Sequence, residues 1–260
     1  MHRFPQITLL ITHFNRSKSL ENLLKTFKDL GCEFGDIVIS DDGSDKIHLS
    51  HIESLSEIYP LRLIGTPENR GLGNNMNKGQ DSVRTSYTLY VQEDFQPLPI
   101  FPEKLRASLN FLEADLHLDI VRFWSYSPYP YLKPFRDGFS EMFIKPFALR
   151  YSKIYYYGDP PHLRRSTFLN KFGRYAEGIA GDRTEYRMCI SFIQNKGKGL
   201  FYNECQSLFV HTNSSQEPST MSRTSWKQGN NWFLKIARNL YRQVKYNCDI
   251  LCMPAFRKIS

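Results

Sequence analysis

Apolar residues in the first hundred positions alternate between two periods. The run ITLLITHFN (7–15) is nearly continuous, the pattern of a parallel strand covered on both faces. In the following SKSLENLLKTFKDLG, Leu20, Leu23, Leu24, Phe27 and Leu30 recur at helical spacing; Ser17 or Ser19 can cap its start and Gly31 closes it. DIVISDDGSD predicts a second strand ending in acids and a glycine turn, LRLIGT (61–66) a third, and TLYVQED (88–94) a fourth. Between the last two, ENRGLGNNMNKGQDSVRTS is polar and glycine-rich, a loop leading into a helix. Strands alternating with helices predict a parallel α/β sheet with right-handed crossovers. Ligands of such sheets bind beyond the carboxyl ends of the strands. Residues 12–15, Asp41-Asp42 and Glu93-Asp94 all fall at that edge.

The pattern loosens after Pro97. Residues 102–115 read as a helix with proline at its start, 118–126 as a strand, 184–197 as a helix and 199–213 as strand, turn, strand. Residues 127–161 are rich in proline and aromatics and carry no clear period. Tyr and Phe gather between 123 and 175, where they can form a binding surface as readily as a core. QEPSTMSR reads as a linker. Residues 226–244 read as a helix with Phe233, Ile236, Ala237, Leu240 and Val244 on one face and Lys235, Arg238, Arg242 and Lys245 largely off it. There is no internal repeat.

The 260 residues are 41% hydrophobic, ample for a core, and carry a net charge of +8. That charge favours an anionic partner: nucleic acid, nucleotide or lipid. Of the five cysteines only Cys248 and Cys252 are close together, and without other ligands nearby they read as helix packing rather than zinc. An odd cysteine count, no secretory leader and no apolar run of about 18 residues predict a cytoplasmic protein that does not cross a membrane. No recognised DNA or RNA module is present, and acids line the expected pocket edge, so nucleic acid is a poor partner.

Four segments, ITLLITHFNRSKSLENLL, DIVISDDGSD, NRGLGNNMNKG and LYVQEDF, resemble family-2-type glycosyltransferases of the GT-A fold in order and spacing. The likeness covers residues 6–97 and, more loosely, 175–213. It implies a Rossmann-like, mostly parallel central sheet flanked by helices, with residues 1–97 as the nucleotide-sugar (donor) half. Residues 98–215 would be the acceptor half, and 216–260 a basic amphipathic helical tail. The resemblance places Thr12, His13, Phe14, Asn15 and Arg16 beside the nucleotide of a UDP-, GDP- or dTDP-sugar. Asn15 can also simply cap the turn into the helix.

Asp41 and Asp42 match the acidic pair that meets a base N–H or ribose hydroxyl; the other reading is a turn into Gly43-Ser44. Asn69, Arg70, Gly71, Asn74 and Lys78 match the Asn/Gly-rich loop and helix that approach the donor. That segment is no P-loop, because no Gly-Lys-Ser/Thr follows the glycines.

Gln92-Glu93-Asp94 occupies the place of the metal-binding acidic triplet, with Gln92 departing from the usual acid. The resemblance makes Asp94 the direct ligand of Mg²⁺ or Mn²⁺ and sets Glu93 toward the donor sugar or a metal-bound water. His211 matches a histidine near the metal or pyrophosphate; a structural role is the alternative. For an inverting single displacement the resemblance implies a carboxylate base from the second half. Glu185 and Asp182 are the candidates, and Glu185 can equally be a carboxylate favoured by the helix N-terminus. The implied acceptor is a glycan or lipid-linked glycan, as in polysaccharide biosynthesis. The tail either docks on its own domain or holds the enzyme peripherally on an anionic membrane face. A catalytically inactive glycosyltransferase-like binding protein is the rival that Gln92 and the missing second acid after Glu185 suggest.

Overall fold

The computed structural model describes residues 1–145, 150–212 and 232–254. β1 (His2–His13), β2 (Cys32–Asp41), β3 (Leu61–Ile64) and β4 (Tyr87–Gln92) are mutually parallel and ordered β3-β2-β1-β4. Their crossovers are α1 (Ser17–Asp29), α2 (Lys46–Ser56) and α3 (Leu72–Asp81). β1 is buried from Ile7 to His13, as its unbroken apolar run requires. It starts five residues before the predicted strand: His2, Arg3 and Phe4 also pair with β2, and the register shifts between Phe4 and Thr8. Pro5, which has no N–H to donate, sits in that irregularity. The sequence pattern had marked no helix at α2, which buries only Ile52 and Leu55.

The second half extends the same sheet. β5 (Phe95–Pro97) leaves it, and α4 (Phe101–Ala114) leads to β6 (Ile120–Arg122). The strand expected over 118–126 is thus cut to three residues. Beyond Arg122 the chain turns out of the sheet, with the Phe123 and Ser125 amides donating to the Pro161 and Cys205 carbonyls. The stretch without period holds β7 (Leu132–Pro134), β8 (Phe139–Met142), a 3-10 turn over Tyr151–Tyr156, and the start of the run into β9 (His162–Arg165). β9 lies antiparallel between β4 and β6. α5 (Phe168–Phe172) and α6 (Gly181–Gln194) follow. β10 (Gly199–Tyr202) and β11 (Phe209–His211) are the expected strand pair, yet they join different sheets. β10 lies between β6 and β8 in the nine-stranded sheet, whereas β11 pairs antiparallel with β5. One apolar cluster, with Leu9, Leu24 and Leu163, covers one face of the sheet; another, with Leu10, Tyr90 and Phe201, covers the other.

The expected linker and the first residues of the predicted tail helix lie outside the described residues. α7 (Trp232–Cys252) packs on the 3-10 turn and α6. Tyr246 lies 4.8 Å from Tyr186 and 5.9 Å from Tyr151, the Tyr186 hydroxyl donates to Asp249 at 2.6 Å, and Gln194 donates to the Ile250 and Met253 carbonyls. The face that docks is therefore not the predicted apolar one, because Ile236, Ala237, Leu240 and Val244 all remain exposed. Cys248 and Cys252 are exposed too, which corrects the expectation that they pack a helix interface. Among the described residues no helix is long and apolar enough to cross a membrane.

Candidate active site

β1, β2 and β4 end in register, His13 opposite Asp41 and Thr12 opposite Gln92, so their polar termini meet at one edge. His13 is fully enclosed there. Its Nε2 accepts the Arg16 amide at 3.1 Å, so the ring proton sits on Nδ1 and is donated to Asp41 Oδ1 at 2.7 Å. Ser44 adds its hydroxyl (2.5 Å) and amide (2.9 Å) to the same carboxylate and accepts the Asn15 amide at 2.8 Å. Burial opposes ionisation of Asp41, but the donors from His13 and Ser44 outweigh it and hold its pKa below the ordinary value. Asn15 takes the left-handed conformation (φ 53°), and its side chain accepts the Asp45 amide at 2.8 Å. Asp41 therefore forms the turn that the sequence offered as an alternative. Phe14 is half-buried beside it.

Asp42 does different work. Its two oxygens receive the backbone amides of Arg70 (2.8 Å) and Gly71 (2.9 Å), pinning the loop that opens α3. Gly71 has φ +84°, a conformation that favours glycine, and Asn69 Oδ1 also accepts its amide. Burial raises the Asp42 pKa despite these donors and the nearby Lys78 charge. Lys78 donates to the Asp41 carbonyl, and burial lowers its pKa. The α3 face toward the second half is clamped by Glu177, which accepts Asn74 at 2.8 Å and Asn77 at 2.7 Å.

Asp94 is buried just past β4. Arg16 Nη1 donates to its Oδ2 at 2.8 Å and lies 3.6 Å from Glu93 Oε1, while His211 Nε2 stands 3.1 Å from the same Oδ2. Pairing of β5 with β11 brings His211 here, and the Thr212 amide donates to the Asp94 carbonyl at 2.7 Å. Burial disfavours the charge on Asp94, but hydrogen bonds from His211 and Arg16 overcome it and lower the pKa. The other oxygen, Oδ1, is buried with no hydrogen-bond partner. Among the described residues no three His, Cys, Asp or Glu side chains converge to hold a metal ion. Gln92 is half-buried and hydrogen-bonds toward Tyr90.

Behind this edge lies a buried polar chain that the sequence did not reveal. Arg164 donates to the Tyr175 oxygen at 2.6 Å and to Gln80 at 2.8 Å. Since arginine only donates, Tyr175 passes its own proton to Tyr157 (2.5 Å), and Tyr157 donates to Asp159 at 2.9 Å. Asp159 is buried, its Oδ2 has no hydrogen-bond partner, and burial together with the Glu185 charge pushes its pKa up to about 8. Of the two base candidates, Asp182 is exposed in the first turn of α6. Glu185 turns its carboxylate inward to accept the Asp159 amide at 3.0 Å. Burial raises the Glu185 pKa also. Tyr90 joins the two regions: its hydroxyl meets Thr12 at 2.9 Å and its ring lies 5.3 Å from His162.

The structure thus gathers Thr12, Asn15, Arg16, Asp41, Asp42, Gly71, Lys78, Glu93, Asp94 and His211 into one connected network. Asn69 and Arg70 stay exposed at its rim, and Asn74 faces Glu177. Ser44 was legible in outline, as a residue three places after an acid in a turn; Asp159 lay in an unassigned stretch.

A family model described as Glycosyl transferase family 2 matches residues 8–172. An uncharacterized glycosyltransferase of Haemophilus influenzae is 23% identical over 119 residues, which cover 45% of this chain and 36% of the relative. The match thus spans about a third of that protein. Among solved structures, residues 1–349 of S. aureus TarS in complex with UDP-GlcNAc superpose with a TM-score of 0.61 at 16% identity, covering 96% of this chain and 76% of that one. PcManGT, a mannosyltransferase from Pyrobaculum calidifontis in complex with GDP-Man and Mn²⁺, gives 0.58 at 13% identity, covering 97% and 67%. At these identities the structural likeness establishes the fold.

Proposed function

The chain belongs to glycosyl transferase family 2, and on that premise we propose that it moves a sugar from a nucleoside-diphosphate sugar to a hydroxyl of a glycan or lipid-linked acceptor. The observation that carries this reading is the junction of three strand ends: the Asp41 turn, the Asp42-held loop and the Arg16–Asp94–His211 cluster occupy one edge. In this reading residues 1–97 bind the donor. Asp41 and Asp42 would act here through the backbone they hold, the turn at Ser44 and the Arg70–Gly71 loop, which would border the base and ribose, and the Gly71 turn would let backbone approach the donor.

Asp94 and His211 would hold a divalent cation. The partnerless Oδ1 of Asp94 would suit Mn²⁺ or Mg²⁺, both of which take carboxylate oxygen, whereas the imidazole beside it would suit Mn²⁺ rather than Mg²⁺. When bound, the cation neutralises charge gathering on the departing diphosphate. Arg16 adds a fixed positive charge at the same edge. Residues 98–215 supply the acceptor side in this scheme. Glu185, whose proton affinity burial raises, takes the acceptor proton in a single inverting displacement; Asp182 is the alternative.

The test is a thermal-shift and hydrolysis panel of UDP-, GDP-, dTDP- and CMP-sugars with and without Mn²⁺. One donor should both stabilise the protein and turn over. Stabilisation without turnover toward any acceptor would favour the inactive binding protein, and no response to any nucleotide would sink the reading.

We further propose a peripheral position on an anionic membrane. The supporting features are the outward stripe of Ile236, Leu240 and Val244 (41%, 61% and 62% exposed) and the cations Arg238, Arg242 and Lys245 on the same helix, in a chain of net charge +8. Vesicles containing phosphatidylglycerol should pellet the protein at low salt. The pair Leu240→Ser and Val244→Ser, which spares the docking face, should abolish this. Undiminished pelleting of that variant would remove α7 from the role.

A further inference from the structure

We infer that Tyr126 is the stacking platform of an acceptor subsite for a sugar ring, an inference resting on the glycosyltransferase reading above. Tyr126 is a large aromatic residue with 68% of its surface open, placed just past β6 at the same sheet edge as Asp94. It is not a stray surface ring. Its centroid lies 4.6 Å from Trp124 in an edge-to-face contact and 6.4 Å from His211. Trp124 in turn lies 5.0 Å from Phe95 and 5.9 Å from His211, and His211 reaches Asp94 at 3.1 Å. A continuous aromatic series therefore runs outward from the Asp94–His211 pair and ends on the open ring of Tyr126.

The backbone beneath that ring is fixed. The Ser125 amide donates to the Cys205 carbonyl at 3.1 Å, and its hydroxyl donates to the Ser127 carbonyl at 2.6 Å. The platform is held in place before any ligand arrives, which lowers the ordering cost of binding. Chemistry then selects the ligand class. The open faces of an aromatic ring carry partial negative charge. A pyranose presents a patch of polarised C–H bonds on one face and hydroxyls around its rim, so it can stack while its hydroxyls stay hydrated or meet polar neighbours. The separation of one residue layer from His211 suits an acceptor ring whose hydroxyl points back toward the donor. An acyclic polyol has no such face.

Saturation-transfer NMR with methyl β-glucoside, methyl β-galactoside and methyl β-N-acetylglucosaminide, each with UDP or GDP present, tests this, with mannitol as the acyclic control. At least one pyranoside should bind the wild type and Tyr126→Phe alike, and bind Tyr126→Ala about tenfold more weakly. Mannitol should not bind. Equal binding to Tyr126→Ala, or no pyranoside binding to the wild type, overturns the subsite. Nucleotide binding in the same samples reports on the donor site separately: its absence defeats the functional reading, whereas the Tyr126 comparison still decides the platform. Because Tyr126 is exposed, an unchanged melting temperature will exclude misfolding as the cause.

Discussion

Asp94→Asn is expected to lower sugar transfer at least about a hundredfold, the scale on which a preorganised charge at a developing anion contributes. Asparagine keeps the shape of the side chain and an oxygen for the His211 contact, but removes the charge facing Arg16. That guanidinium is almost wholly buried, with Asp94 2.8 Å away and Glu93 at 3.6 Å. Losing the only partner of a buried pair costs about 3–5 kcal/mol, and because Glu93 stays beside Arg16 as a second counter-ion the loss here falls below that range. The variant should therefore also melt at a lower temperature. Separating chemistry from stability needs kcat and donor KM measured well below that melting point. Arg16→Lys serves as companion, since lysine keeps the charge but loses the planar fork. Transfer by Asp94→Asn within twofold of wild type, at a temperature where it is folded, would move the reacting edge elsewhere.

The second large effect is a change in how stability depends on pH. Asp159 has a raised pKa, to about 8, caused first by burial and then by the neighbouring Glu185 charge. Both folded and unfolded chains hold this proton below the ordinary carboxyl pKa of about 3.9, so the stabilising contribution is complete there. As pH rises, the unfolded carboxyl ionises while the folded one resists, and the contribution drains away until pH passes about 8. The melting temperature of wild type relative to Asp159→Asn should thus fall between about pH 5 and 8, a comparison that cancels the opposite slope from buried His162, whose lowered pKa favours the folded state as pH rises toward the ordinary His value. Glu185 shifts in the same direction, so some slope persists in the single variant and falls again in Asp159→Asn with Glu185→Gln. Parallel melting curves for wild type and Asp159→Asn across that range would show that Asp159 titrates normally.

The polar edge where β1, β2 and β4 end was legible because it is written in local signals. An apolar run that stops at a polar pair marks a strand end, and β1, β2 and β4 each stop that way. Parallel pairing then puts those ends together without further information. Less legible was which oxygen serves which group. Asp41 is spent on His13 and Ser44, and Asp42 on the Arg70–Gly71 loop, a division that two adjacent identical residues cannot announce. No local signal showed that Arg16, expected beside a nucleotide, would reach 78 positions along the chain to Asp94.

The second half resisted because its strands are three or four residues long, too short for a period to show. β9 carries Arg164 into the interior, where Tyr175 and Gln80 receive it. No composition rule expects a fully buried arginine in a strand. The tail differed in another way: α7 docks through Tyr246, Ile250 and polar side chains, while Ile236, Ala237, Leu240 and Val244 of the predicted apolar face stay exposed.

The short pairing of β5 with β11 has one more consequence. Asp94 meets His211 and Thr212 across 117 and 118 positions of sequence, joined by a ladder only three residues long. A ribosome that has made the first two hundred residues has already emitted the four segments that resemble the family, but not the strand that completes their edge. The complete edge therefore belongs to no stretch of the chain ending before β11, and in synthesis it closes only once β11 has emerged.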